Sequence, residues 1–168
     1  MKRRNFLLMG TLLTSGLYFS VRCRNLNEKS LEKVEPIIYA VQMHLFPQTS
    51  TLPSASSVGA TTYLLNAISH HSYDGKRKRF IILGALLLQE QISQDITELN
   101  CIEMESALRQ YEKSNYGKQW LHSIMELTLE ALFGDPIYRK RTTSYGWKVL
   151  SVNGGMPRPQ KRYIYESV

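Results

Sequence analysis

The sequence predicts an all-α protein: a bundle of about five helices, with an N-terminal signal segment before it and an extended, irregular C-terminal arm after it. Apolar residues recur at helical spacing in five separate segments, as expected of helices that each bury one face. Prolines, glycines and Ser/Thr-rich stretches separate these segments. After residue 133 the periodicity is lost. We therefore divide the chain into a signal at 1–22, a bundle at 23–133 and an arm at 134–168.

The first helix is predicted to begin at Pro36, because helices accept proline in their first turn. It is predicted to end before Pro47, which cannot continue it. The segment that follows, 47–57, is rich in Ser, Thr and Pro and predicts a long surface loop. The apolar residues at helical spacing within this first helix are Ile37, Ile38, Val41 and Leu45.

The second helix is predicted to start with Thr61 or Thr62 as its N-cap and to run into the pair His70-His71. Adjacent helical residues point about 100° apart, so these histidines do not form a metal-binding pair. An Asp-Gly turn and the basic run 76–79 follow, which we interpret as a solvated loop or a contact with an acidic partner. The apolar run 80–88 then predicts a central bundle helix, with a buried strand as the alternative.

The fourth helix is predicted to open at Asn100, because Asn100 and Glu103 have the spacing of a capping box. The segment 115–117 contains a glycine and is predicted to break this helix. A fifth helix is then predicted from Lys118 to Phe133, closed by a left-handed Gly134. The apolar stripes of these two helices are Ile102, Leu108 and Tyr111 in the fourth, and Trp120, Leu121, Ile124, Met125, Leu127, Ala131 and Leu132 in the fifth.

The first residues have the pattern of a twin-arginine export signal, with Arg3 and Arg4 followed by Phe6 and Leu7. The apolar run that follows contains Thr, Ser and Gly, which suits this export route for folded cargo. A basic N-terminal anchor that is not cleaved is the alternative. The apolar run ends near residue 21 and is shorter than the ~20 residues that usually span a bilayer. Either alternative places the mature protein in the periplasm, free or attached to the inner membrane.

The formal charge of +7 is concentrated at the N-terminus. Residues 1–22 contain four basic residues and no acid, so residues 23–168 carry 17 basic and 14 acidic residues. That balance is typical of an ordinary protein surface. A nucleic-acid interface would require a continuous basic face with interleaved aromatic residues. We therefore expect no nucleic-acid partner.

The sequence contains none of the common catalytic or cofactor-binding motifs. A dinucleotide-binding glycine turn, a Walker loop, a Gly-x-Ser-x-Gly elbow, a zinc-protease motif and a haem-attachment motif are all missing. We expect no catalytic residue, no bound metal and no cofactor in this chain. Of the two cysteines, Cys101 is predicted to be a lone, small buried residue. The alternatives are an intramolecular disulfide with Cys23, if processing keeps that residue, and an intersubunit disulfide.

The most informative stretch lies at the C-terminal end of the bundle. Residues 132–138 read Leu-Phe-Gly-Asp-Pro-Ile-Tyr, and residues 146–148 read Gly-Trp-Lys before a Gly/Pro-rich tail. This pair of motifs resembles the closing segment of the gluconate 2-dehydrogenase subunit 3 family. The chain departs from the family at 139–141, where Arg-Lys-Arg replaces the usual Gly-Gly-Asn.

The resemblance implies a non-catalytic accessory subunit of a periplasmic, membrane-bound dehydrogenase. The implied partners are a large FAD-containing catalytic subunit, the twin-arginine translocase and, in many complexes, a multihaem cytochrome c subunit that holds haem c. An alternative function is a stand-alone, N-terminally anchored helical scaffold of the cell envelope. The arm cannot form a core of its own, so we expect it to pack on the partner, or else to fold back on its own bundle. The predicted partner-binding residues are Asp135, Pro136, Tyr138, Tyr145, Gly146, Trp147 and Pro157.

Overall fold

The computed structural model describes residues 28–49, 52–92, 94–135 and 145–152. The chain divides into two units, Met1–Ser30 and Leu31–Val168, and the architecture described here is that of the second. The predicted all-α class is confirmed, because the described residues contain five long α-helices and no strand. The helices are α1 (Glu28–Leu45), α2 (Ala60–Ser69), α3 (Gly75–Gln91), α4 (Cys101–Glu112), α5 (Asn115–Phe133) and the short α6 (Tyr145–Val149), with a 3-10 turn at Ile96–Glu98.

Three helices begin earlier in the chain than predicted. Helix α1 starts at Glu28 and contains Pro36 in its interior, because the preceding Glu, Lys and Leu residues are themselves good helix formers. Helix α3 starts at Gly75, so the basic run 76–79 is its first turn and not a loop. Helix α5 starts at Asn115, where a break was expected, because the Ser114 hydroxyl accepts a hydrogen bond from the Gly117 N–H at 2.8 Å.

The predicted caps have mixed outcomes. The capping box at Asn100 and Glu103 is confirmed, with both reciprocal hydrogen bonds present at 3.0 Å. The predicted threonine cap of α2 is wrong. Gly59 occupies the cap position with a left-handed φ of 68°, and Thr61 is buried inside the first turn. The left-handed Gly134 is also wrong, since its φ of −63° and ψ of 166° continue the chain as an extended strand-like segment.

The core is organised around α5, which packs against α2, α3, α4 and α6. Trp120 of α5 is fully buried, and its indole N–H donates to the Ile81 carbonyl of α3 at 2.8 Å. Gly84 allows this approach, because a Cβ at that position would lie 1.9 Å from the Trp120 ring. Tyr111 of α4 meets the Trp120 ring edge-to-face and donates its hydroxyl to the Gly84 carbonyl at 2.9 Å. Burial raises the pKa of Tyr111, which therefore keeps this proton.

A buried polar network joins α1, α2 and α5. Gln42 is fully buried and donates from its side-chain amide to the Thr128 hydroxyl at 2.8 Å. The Thr61 hydroxyl donates to the Gln42 side-chain carbonyl at 2.6 Å, and the Thr128 hydroxyl donates to the Ile124 carbonyl at 2.7 Å. Every group named in this network has a partner, as buried polar groups in native proteins require.

Two further predictions about burial are wrong. The segment 47–57 does not lie entirely on the surface: its residues 53–55 are buried, and Ala55 packs in a small cluster with Ala60 and Ala131. In α4, Ile102 is 81% exposed, and Met104 and Leu108 occupy the buried face instead.

No helix among the described residues is long and apolar enough to cross a bilayer.

Candidate interaction surface

The C-terminal end of α5 is covered by the segment that follows it in the motif. Trp147 of α6 donates its indole N–H to the Phe133 carbonyl at 2.7 Å. Gly146 is buried, and a Cβ there would lie 2.1 Å from the Leu132 carbonyl oxygen. The last carbonyls of a helix have no partner within the helix, so the indole satisfies one of them. We call these four residues, Gly146 and Trp147 on Leu132 and Phe133, the C-terminal clasp.

Helix α6 has five residues and is too short to be stable alone, so its contact with α5 holds it in place. It ends in a Schellman motif: the Val152 N–H donates to the Trp147 carbonyl at 3.0 Å, and the Ser151 N–H donates to the Lys148 carbonyl at 3.2 Å. Ser151 takes the left-handed position with a φ of 52°. Glycine usually fills that position, and a side chain there costs about 1–2 kcal/mol.

Beyond the clasp, three aliphatic side chains are exposed close together in the chain. Val149, Leu150 and Val152 are 38%, 53% and 49% exposed, respectively. We call these three residues the C-terminal apolar patch. They were not among the predicted site residues, although the sequence shows three apolar residues after Trp147 with no periodic segment nearby to cover them.

The described residues include only part of the predicted arm, 134–135 and 145–152. Gly146 is buried and Trp147 half-buried against the protein's own bundle, which was the alternative to packing on a partner. Tyr145 opens α6, and Asp135 is half-buried after the end of α5. The other predicted residues lie outside the described part of the chain: Arg3, Arg4, Phe6 and Leu7 of the export signal, and Pro136, Tyr138 and Pro157 of the arm.

Cys101 is exposed at the first position of α4, so the prediction of a buried cysteine is wrong. Its sulfur is a free thiol. It lies beside a groove of about 410 Å³ between α1 and the start of α4, which Tyr39 and Met43 also line. The predicted intersubunit disulfide stays a prediction.

A second groove, of about 890 Å³, lies between α3, α4 and α5. Several of the charged side chains that line it are paired. Glu105 binds His44 and Arg109 at 2.8 Å each, and Arg77 approaches Glu126 at 3.4 Å. The hydrogen bond from His44, and then that from Arg109, lower the pKa of Glu105. Glu105 is therefore ionised at neutral pH and suits an ion-pair network better than proton donation.

Tyr73, in the connection between α2 and α3, carries a buried hydroxyl with no hydrogen-bond partner among the described residues. Desolvation raises its pKa, opposed by the charge of Arg77. A buried hydroxyl without a partner lowers the free energy of unfolding.

No cluster of three or more His, Cys, Asp or Glu residues that could hold a metal ion occurs in the described ranges.

The clasp is the geometric fact that bears most directly on the family resemblance. Comparisons with protein families, with curated proteins and with solved structures find no match to this chain. The resemblance to gluconate 2-dehydrogenase subunit 3 therefore depends on the motif residues and their arrangement.

Proposed function

We propose that this chain is a non-catalytic accessory subunit of a periplasmic, FAD-dependent dehydrogenase complex of the gluconate 2-dehydrogenase type. Its role is to carry the flavin-containing catalytic subunit through the twin-arginine pathway and to stabilise that subunit after export. The flavin belongs to the partner, and haem c belongs to a cytochrome subunit where one is present.

The observation that supports this proposal most is the contact between the two halves of the motif. Leu132-Phe133 and Gly146-Trp147 are separated by 12 residues in sequence, yet they touch at the end of α5. Gly146 is required because its backbone lies against the Leu132 carbonyl. Trp147 supplies the N–H that binds the carbonyl of the following residue, Phe133. The joint occurrence of both motifs thus has a physical reason, which raises their value as a family signature above that of two separate short matches.

The clasp also supports a specific mode of partner binding. It holds α6 on the end of α5, with the C-terminal apolar patch exposed on the surface. Uncharged apolar surface suits the centre of a protein interface, which is depleted in charged residues. In this proposal the patch, together with the arm residues Pro136, Tyr138 and Pro157, contacts the flavoprotein.

The partner is tested by purifying an affinity-tagged chain from detergent-solubilised envelopes, and identifying bound proteins by mass spectrometry and bound flavin by fluorescence. We expect a large flavoprotein to co-purify. Leu150→Asp should abolish that co-purification, because it places a charge in the proposed contact. Ile102→Asp is the matched control, because Ile102 is a more exposed aliphatic residue on α4. A chain that purifies alone would favour the stand-alone scaffold and contradict the proposal.

If the chain carries the flavoprotein out of the cytoplasm, export of the flavoprotein must depend on the twin arginines at the N-terminus. Replacing Arg3 and Arg4 by lysines should leave the flavoprotein in the cytoplasm, measured as dehydrogenase activity with an artificial electron acceptor in the periplasmic and cytoplasmic fractions. Arg22→Lys is the matched control outside the twin pair. Normal export of the flavoprotein in the double variant would exclude an escort function.

A further inference from the structure

The start of α3 carries an unusual concentration of positive charge. Lys76, Arg77, Lys78 and Arg79 form the first turn of α3, and Asp74 is the only acid between residues 70 and 79. We call residues 70–79 the basic corner. Residues 23–168 outside it carry 13 basic and 13 acidic residues, so the basic corner is a local positive site on a part of the chain with no other net charge.

This charge is not explained by contacts within the described part of the protein. Of the four cations, only Arg77 forms an ion pair there, with Glu126 at 3.4 Å, and Arg79 donates its Nε–H to the Gly75 carbonyl at 3.2 Å. The Asp74 carboxylate is already used as the helix cap, accepting from the Lys76 and Arg77 backbone N–H groups at 2.8 Å each. The cations also stand at the positive end of the α3 dipole, where positive side chains are unfavourable.

The positions of the four cations restrict the shape of the binding partner. Consecutive helical residues are about 100° apart, so four in a row encircle the first turn. Lys76, Arg77 and Arg79 are exposed, and Lys78 is partly exposed. A surface that meets α3 end-on can reach all of them, if its negative charges can rearrange around the turn. Lipid headgroups move laterally within a membrane, whereas a folded acidic protein would need a preformed cup.

We infer that the basic corner binds anionic phospholipid headgroups and orients the subunit on the membrane surface. The remainder of residues 23–168 has no net charge, so the basic corner carries the net positive charge that an anionic surface attracts. The backbone amides of the helix start are not the binding groups, because Asp74 already occupies two of them. This contact is independent of residues 1–22 and of the proposed flavoprotein partner.

The test measures binding of the full chain to phosphatidylcholine vesicles with and without phosphatidylglycerol. The variant Lys76→Gln/Lys78→Gln/Arg79→Gln removes three cations and keeps the Arg77 ion pair. Each cation near an anionic surface contributes roughly a fivefold change in affinity, so we expect binding to phosphatidylglycerol vesicles to fall about 100-fold. High salt should remove most of the wild-type binding, because screening at ~1 M salt acts within about 3 Å.

The matched control is Lys33→Gln/Lys113→Gln/Lys118→Gln, which changes the net charge equally at three exposed lysines elsewhere. It retains the same residues 1–22, and we expect its affinity to stay within a few-fold of the wild type. Equal losses in the two triple variants would overturn the inference, since they would show a diffuse charge effect. Wild-type vesicle binding by the corner variant, with loss of a co-purifying acidic protein, would also overturn it in favour of a protein contact.

Stability supplies a second readout. Removing cations from the positive end of a helix should leave the melting temperature of the corner variant equal to or above that of the wild type. If the triple variant does not fold, the single variant Lys76→Gln replaces it, with an expected loss of about fivefold. An unchanged affinity in that single variant would contradict the inference, and retained binding by Lys76→Arg would support it.

Discussion

Gly84→Ala tests whether the close packing of α3 on Trp120 holds the bundle together. The new Cβ would lie 1.9 Å from the indole ring, whereas carbon atoms in contact are normally about 3.5–4 Å apart. The ring must therefore move by about 1.5–2 Å. It has no free space, because it is fully buried, hydrogen-bonded to Ile81 and in contact with Tyr111.

The expected magnitude combines three contributions. Overpacking a close-packed core costs about 1–3 kcal/mol. Loss of the hydrogen bond from the indole to the Ile81 carbonyl adds about 1 kcal/mol. The better helix propensity of alanine returns about 1 kcal/mol. We therefore expect Gly84→Ala to lower the free energy of unfolding by about 2 kcal/mol, which shifts the urea midpoint by about 1 M.

The assay is equilibrium unfolding in urea, monitored by circular dichroism. All variants are fitted with one common slope of the free energy of unfolding against urea concentration. Gly75→Ala is the matched control in the same helix, because a Cβ at Gly75 meets nothing within 4 Å, and its midpoint should be unchanged or higher. In a Trp120→Leu background, which vacates the space, Gly84→Ala should become neutral or stabilising. A Gly84→Ala protein as stable as the wild type would refute the packing argument.

Four further changes test other parts of the structure. Ser151→Gly should stabilise the protein by about 1 kcal/mol in urea unfolding, because glycine adopts a left-handed φ without strain. Thr128→Val should cost about 1–3 kcal/mol by the same assay, since it leaves a buried amide without its acceptor; a neutral result would contradict the network. Tyr73→Phe should raise the free energy of unfolding by about 1 kcal/mol, as it removes a buried hydroxyl without a partner. The pKa values of Asp74 and Glu105 are lowered in the folded protein, by the Arg77 backbone N–H and by His44 respectively. Their stabilisation is therefore complete above the unfolded pKa of about 4 and is lost as the pH falls through the lower folded values, so the urea midpoint should drop on acidification below pH ~4, and less so in Asp74→Asn.

The helical bundle could be predicted from sequence because its signals are periodic and local. The fully buried Trp120 and the capping box at Asn100 follow directly from spacing. The starts of helices were less predictable, because glycine occurs both where helices break and inside helices that pack closely. Gly117 suggests a break, yet it lies inside α5, where a Cβ would lie 2.1 Å from the Tyr111 carbonyl oxygen.

The clasp could not be derived from the motif residues alone. Glycine and tryptophan in an irregular tail predict contact with some surface, but hydrophobicity does not say which surface. The choice between the bundle and a partner depends on a tertiary contact between Trp147 and Phe133, across a gap without periodicity. The same holds for Ile102, whose exposure depends on which face of α4 meets α5.

The fully buried Gln42 also determines how the helices can be aligned. Moving α1 by one helical turn along its axis would keep its apolar face toward the bundle, but would carry this side chain about 5 Å from its partners and leave its amide buried without them, at a cost of about 1–3 kcal/mol. Aliphatic contacts alone would tolerate such sliding, since one methyl group substitutes readily for another. Three hydroxyl and amide groups thus select a single register among several that the apolar residues would accept.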